Sequence, residues 1–286
     1  MTQNPLEFEI AHYKPEQEPF YVDIKGETEI FKTAYRNKIP VMLKGPTGCG
    51  KSRFVERMVY ELNRELKRDK VSKPLEIPLI TVPCHEDLNA DDLKGRYLMS
   101  GEYQEGPALI AVKNGGILYL DEIVEARKDT TVIIHPLADH RRNLVIEKLG
   151  KVYEASETFG LIISYNPGYQ RKIKDLKQST KQRFIAMEFN YPPKEIEKEI
   201  VSHESGLNED KALGLVEIGN KVRNLKGKGL EEGASTRLLI DAGKLIKDGI
   251  DPKTACEVAI LNPITDDIDI YKDIKKGLED IIENYF

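Results

Sequence analysis

The chain has 286 residues, enough for one large domain or two ordinary ones. Hydrophobic residues make up 40% and charged residues 32%, a globular balance, and no apolar run approaches the roughly 18 residues that a membrane span needs. A net charge of −5 argues against bulk electrostatic binding to nucleic acid, and the polar start Met1-Thr2-Gln3-Asn4-Pro5 carries no signal sequence, so a cytoplasmic protein is expected.

The first two thirds of the chain alternate short apolar runs with helical stretches, the pattern of a parallel sheet covered by helices. Buried strands are expected at residues 41–43, 79–82, 117–120, 161–165 and 184–189, each a mostly apolar run suited to burial on both faces. Between the first two lies a helix from residue 52 to about 68, with Phe54, Met58, Leu62 and Leu66 at i, i+4 spacing. Residues 143–147 and 151–155 read as a β-hairpin turning at Lys148-Leu149-Gly150. After Tyr191-Pro192-Pro193 the character changes to helices alone, with cap signals at Asn208 and at Asp251 before Pro252. One helix begins near Ser235 with Leu238, Leu239, Ala242 and Ile246 on one side; the last carries Ile270, Ile274, Leu278, Ile281 and Ile282 on one apolar face. The expected division is an α/β domain over residues 1–193 and an all-helical domain over residues 194–286.

Three cysteines, Cys49, Cys84 and Cys256, have no paired spacing and read as reduced thiols. His135 and His140 stand five apart, off the spacing that puts two ligands on one helix face, so no structural zinc is expected.

Gly45-Pro46-Thr47-Gly48-Cys49-Gly50-Lys51-Ser52 matches the phosphate-loop pattern between an expected strand and an expected helix. Such a loop wraps phosphates with backbone N–H groups; Lys51 would reach the β- and γ-phosphates of ATP and Ser52 would complete a Mg²⁺ shell. The strand Gly116-Ile117-Leu118-Tyr119-Leu120 ends in Asp121-Glu122. Alone, that ending usually marks a solvated strand end; beside a phosphate loop, Asp121 is the expected metal-side carboxylate and Glu122 the general base for water. Asn166 closes the next strand and could hold that water, or simply close a turn before Pro167. Arg183, just before the fifth strand, could stabilise charge on a neighbouring subunit's phosphate or make an ordinary surface salt bridge. Arg237, opening a helix, could touch the γ-phosphate of the same ATP, or be a solvated helix residue as composition alone reads it. Tyr169-Gln170 and Arg141-Arg142 are loop candidates for protein contacts.

These motifs in this order resemble a AAA+ ATPase. The stretches Tyr119-Leu120-Asp121-Glu122-Ile123-Val124-Glu125-Ala126-Arg127, Val132-Ile133-Ile134-His135-Pro136-Leu137 and Ser164-Tyr165-Asn166-Pro167-Gly168-Tyr169-Gln170 are similar to the NirQ/NorQ/CbbQ branch of the MoxR ATPases. The resemblance implies a P-loop NTPase core followed by a helical lid, in a ring-shaped homo-hexamer with ATP at subunit interfaces. It implies an activating chaperone working with a von Willebrand factor A-domain partner on Rubisco or nitric oxide reductase. By motif match Asn166 takes the sensor-1 role, Arg183 the arginine finger and Arg237 the sensor-2 role. The hairpin at 143–155 matches the pre-sensor-1 insertion and residues 91–106 the helix-2 insertion, here short around Gly101-Glu102-Tyr103-Gln104-Glu105. Lys181 stands where relatives often carry a second arginine supporting the finger.

Two rival readings are weaker. A nucleotide-gated assembly module that hydrolyses negligibly has no need of Glu122 as a base, and a DNA-acting ATPase would be expected to show a helix-turn-helix or a basic excess.

Overall fold

The computed structural model describes residues 17–68, 76–167, 176–227 and 229–286. They group into two compact units, one holding the described residues of 17–44 and 51–188, the other those of 45–50 and 189–286.

The first unit carries helices α1 (Glu27–Arg36), α2 (Lys51–Arg68), α3 (Ala90–Lys94), α4 (Pro107–Asn114), α5 (Lys128–Leu137) and α6 (Gln178–Lys181). Its strands are β1 (Val41–Lys44), β2 (Leu79–Pro83), β3 (Gly95–Tyr97), β4 (Tyr103–Glu105), β5 (Ile117–Asp121), β6 (Asn143–Ile146), β7 (Lys151–Glu154), β8 (Gly160–Tyr165) and β9 (Ile185–Glu188). Five of them form the parallel sheet that the apolar runs predict, in the order β2-β5-β8-β1-β9. Burial on both faces explains why these strands read as unbroken apolar runs: Leu118, Leu120, Ile163 and Leu43 are all fully buried. α2 places Phe54, Met58 and Leu62 in the core, each burial stabilising by about 1.5–3 kcal/mol, while Leu66 is half-buried. β6 and β7 pair as the expected hairpin, closed by a 3₁₀ turn. β3 and β4 form a second antiparallel pair, inside residues 91–106, that no apolar run announced.

The strand order matters for function. β8 lies between β5 and β1, so the carboxyl ends of three neighbouring strands meet. In an open parallel sheet that edge is where ligands are bound.

The second unit contains helices α7 (Lys194–Ser205), α8 (Glu209–Arg223), α9 (Thr236–Lys247), α10 (Pro252–Cys256) and α11 (Ile268–Tyr285). The expected caps are present: Asn208 accepts from the Lys211 N–H at 3.0 Å and Asp251 from the Thr254 N–H at 3.0 Å. α9 buries Leu239, Ala242, Gly243 and Ile246. Leu238, expected on this face, is only half-buried, because the face runs through i, i+3, i+4 and i+7 from Leu239. α11 buries Ile274 and Leu278, with Ile270, Ile281 and Ile282 packed at the margin.

Candidate active site

In the first unit α2 begins with Lys51 and Ser52, the last two residues of the phosphate-loop pattern. Lys51 is almost fully buried, and no acidic residue occupies the first turn of the helix. A helix N-terminus carries a partial positive charge that can receive an anion.

From Ser52 a chain of oxygens crosses to the sheet. Ser52 Oγ lies 3.4 Å from the Tyr119 hydroxyl, which donates to Asp121 Oδ1 at 2.6 Å. Burial, and then the Asp121 charge, push the Tyr119 phenol well above its ordinary range, so it stays a protonated donor. Ser164 Oγ also donates to Asp121 Oδ1, from the neighbouring strand β8. The Glu122 N–H donates to that same Ser164 Oγ at 3.0 Å. A hydroxyl and a carboxylate, oxygen donors only, suit a hard divalent cation such as Mg²⁺, and the residues therefore fit the ion that a phosphate-loop enzyme uses.

Glu122 turns out of the strand with φ 54°, a left-handed conformation uncommon for a side chain other than glycine, asparagine or aspartate. Its side chain is exposed while Asp121 is half-buried. The two adjacent carboxylates thus differ in exposure, Asp121 half-buried beneath two hydroxyls and Glu122 at the surface. Cys84, whose N–H donates to the Asp121 carbonyl at 2.9 Å, lies behind them; burial and the charges of Asp121 and Glu122 push its thiol up to about 12. A thiol held that high is inert rather than nucleophilic.

Asn166 follows directly from the end of β8, half-buried, two residues beyond Ser164. Arg183 lies between α6 and β9, where its Nη1 donates to the Ser179 carbonyl and its buried Nε has no hydrogen-bond partner among the described residues. Among the described residues no carboxylate pairs with it. His135, whose Nε2 is 2.8 Å from Thr180 Oγ1, is held below its usual range by burial and by the Arg183 charge. Lys181 sits over the Tyr165 ring, 5.7 Å from its centroid.

The second unit contains the loop residues 45–50. Gly45 is required by close approach: a Cβ there would stand 2.4 Å from the Phe189 carbonyl oxygen. Gly48, at φ 67°, needs glycine twice over, since a Cβ would also stand 2.6 Å from Ser235 Cβ. Arg237 Cβ lies 3.6 Å from that same position, so the exposed Arg237 is beside the loop. Cys49 is buried and forms no disulfide with another described cysteine.

One loop expectation changes. Arg142 is not a surface contact: its Nη2 donates to the carbonyls of Ser156 and Phe159, each at 3.2 Å. Arg141 instead clasps Asp139, with Nη2 2.6 Å from Oδ2. Tyr169 and Gln170 lie outside the described residues.

The family described as AAA domain (dynein-related subfamily) matches residues 40–184, and that described as CbbQ/NirQ/NorQ C-terminal matches residues 197–285. Protein CbbQ of Hydrogenophilus thermoluteolus is 55% identical, covering 90% of this chain and 93% of the relative. The chain belongs to the CbbQ/NirQ/NorQ family. Protein NorQ of Paracoccus denitrificans is 49% identical over 94% of each chain. The denitrification regulatory protein NirQ of Pseudomonas aeruginosa is 50% identical over 87% of this chain and 92% of its own. Among solved structures, a point mutant of RuvB from Thermotoga maritima shares the fold, with a TM-score of 0.55 at 15% identity, covering 92% of this chain and 73% of that one.

Two contributors in this CbbQ/NirQ/NorQ chain escape a motif search, Tyr119 and Ser164. The signal was available for Ser164, a hydroxyl inside the apolar run Leu161-Ile162-Ile163-Ser164-Tyr165. Ser164→Ala releases Asp121 Oδ1 on one side and leaves the Glu122 N–H without its acceptor, a cost of about 1–3 kcal/mol. Steady-state kinetics are expected to register it as a fall of about tenfold in kcat with little change in the KM for ATP. An unchanged kcat would remove Ser164 from the positioning of these carboxylates.

Proposed function

We propose that this chain is an ATP-hydrolysing AAA+ activating chaperone of the MoxR class, acting in the cytoplasm as a homo-hexamer. With a von Willebrand factor A-domain partner it remodels a target enzyme, Rubisco or nitric oxide reductase. The observation that carries the reading is the pair of unlike carboxylates: Asp121 anchored by the Tyr119 and Ser164 hydroxyls, Glu122 exposed next to it. A binding module has use for the first and none for the second.

In this reading Gly45, Pro46, Thr47, Gly48, Cys49 and Gly50 wrap the phosphates of ATP, and Lys51 neutralises their charge from the start of α2. Ser52 and Asp121 hold Mg²⁺, which when bound stabilises charge developing on the phosphates. Glu122 takes the proton of the attacking water and Asn166 holds that water in line. Arg183 reaches the phosphate of the neighbouring subunit, for which its guanidinium, held by no carboxylate among the described residues, is available, and Arg237 serves the γ-phosphate of its own ATP. The helical residues 194–286 act as the lid domain and residues 1–193 as the ATPase domain.

The test is the ATPase rate per chain against protein concentration, with mass measured at each point, for wild type and Arg183→Ala. The rate is expected to rise as hexamers form and to drop by about 10³-fold or more in the variant while ATP still binds. A flat rate untouched by the substitution would withdraw the arginine finger and the ring mechanism together.

A further inference from the structure

The helical unit holds a charged pair that none of these steps uses. Glu197 is fully buried, and the fork of Arg223 meets it face on: Nη2 donates to Oε1 at 2.6 Å and Nη1 to Oε2 at 2.7 Å. Apolar side chains of similar volume commonly stabilise a core as well as a buried ion pair does. What the pair supplies instead is direction, because a planar bidentate fork fixes both partners.

That direction leads two ways. Toward the phosphate loop, the Arg223 guanidinium lies 4.0 Å from the centroid of the Tyr191 ring, and the Tyr191 hydroxyl donates to the Thr47 carbonyl at 3.2 Å. Burial pushes the Tyr191 phenol up to about 12, so this donor is protonated at neutral pH. Toward α9, Arg223 Nε donates to the Ala234 carbonyl at 2.7 Å and Thr236 Oγ1 donates to Glu197 Oε1 at 2.6 Å. The residue between them, Ser235, caps α9 by accepting from the Leu238 N–H, and the residue after Thr236 is Arg237. One ion pair therefore grips both the loop residue Thr47, through a tyrosine, and the turn that carries Arg237.

We propose that Arg223, oriented by Glu197, is a positioning residue that locks the phosphate loop and the first turn of α9 into one geometry and so sets Arg237 for its work on ATP. The inference rests on reading the chain as an ATPase with Arg237 at the γ-phosphate. It makes Tyr191 the link to nucleotide binding and Arg223 the link to turnover.

The experiment compares wild type, Arg223→Lys, Arg237→Ala, the double variant and Tyr191→Phe, reading kcat and KM for ATP in the full chain. Lysine keeps a positive charge opposite Glu197 but loses the fork, the stack and the bond to Ala234. Arg223→Lys is expected to lower kcat about tenfold, through an Arg237 no longer held in its working geometry. The double variant is expected to be no slower than Arg237→Ala alone, since Arg223 acts through Arg237. Tyr191→Phe keeps the ring under Arg223 and folds normally; it is expected to raise KM about threefold to tenfold at unchanged kcat. Losses that multiply in the double variant, or a Tyr191→Phe protein with wild-type KM, overturn the proposal. If Arg223→Lys fails to fold, Tyr191→Phe decides alone. Wild-type protein that does not hydrolyse ATP would instead defeat the ATPase reading and this inference with it, whereas brisk wild-type turnover with multiplying losses defeats the inference only.

Discussion

Glu122→Gln is expected to lower ATP turnover by about 10²–10⁴-fold while leaving ATP affinity near that of wild type. Glutamine matches glutamate in shape, so the left-handed backbone at φ 54° and the N–H bond to Ser164 at 3.0 Å are untouched. What disappears is the capacity to accept a proton from water. Holding a residue with a long side chain in a left-handed conformation costs on the order of 1 kcal/mol, and strain of that kind is tolerated where it presents a group for use. The side chain is exposed, so little packing changes with it. Single-turnover phosphate release, alongside equilibrium binding of a fluorescent ATP analogue, separates the two effects. A variant that hydrolyses at the wild-type rate would remove Glu122 from the chemistry. One that fails to hydrolyse yet fully activates the target would assign the chain to the rival class, a nucleotide-gated assembly module.

The contrast between Glu122 and its surroundings also marks what a sequence can and cannot carry. The parallel sheet was legible because strands buried on both faces leave continuous apolar runs, as at Leu118, Leu120 and Ile163. The phosphate loop was legible because its chemistry is local, with every requirement met within eight residues. The pair β3 and β4 was not, since Tyr97, Leu98 and Met99 around its turn are exposed and the strands are only three residues long, so no burial period is imprinted on them. Arg183 could not be separated from a surface salt bridge by spacing alone, because what a guanidinium meets depends on groups that only the fold brings beside it. Arg142 illustrates the reverse error: a doublet of arginines suggested exposure, and three-dimensional proximity to the carbonyls of Ser156 and Phe159 turned one of them inward. The most remote case is Glu197, whose partners Arg223 and Thr236 are 26 and 39 residues away. Nothing in the alternation of α7 identifies a glutamate destined for complete burial.

That burial makes Glu197 the position with the largest expected effect on stability. Glu197→Ala strips the carboxylate from a guanidinium that remains enclosed and leaves Thr236 Oγ1 without its acceptor. Breaking one side of a buried pair costs about 3–5 kcal/mol, because the surviving charge is left desolvated. Replacing both partners together, as Glu197→Leu with Arg223→Met, removes the stranded charge and fills similar volume. The double variant is therefore expected to recover at least about half of the single variant's loss in chemical denaturation, a departure from additivity expected of groups in direct contact. A double variant as unstable as Glu197→Ala would mean that the ion pair itself, and not the avoidance of a lone buried charge, holds the helices together. Recovery of stability has a further consequence for function. The restored protein would keep its helices packed, yet would lack the fork that grips Tyr191 on one side and Ala234 on the other. A fold that is recovered with a raised KM for ATP and a lowered kcat would separate the two roles a buried ion pair can play, and would place the selective value of this one in geometry rather than in stability.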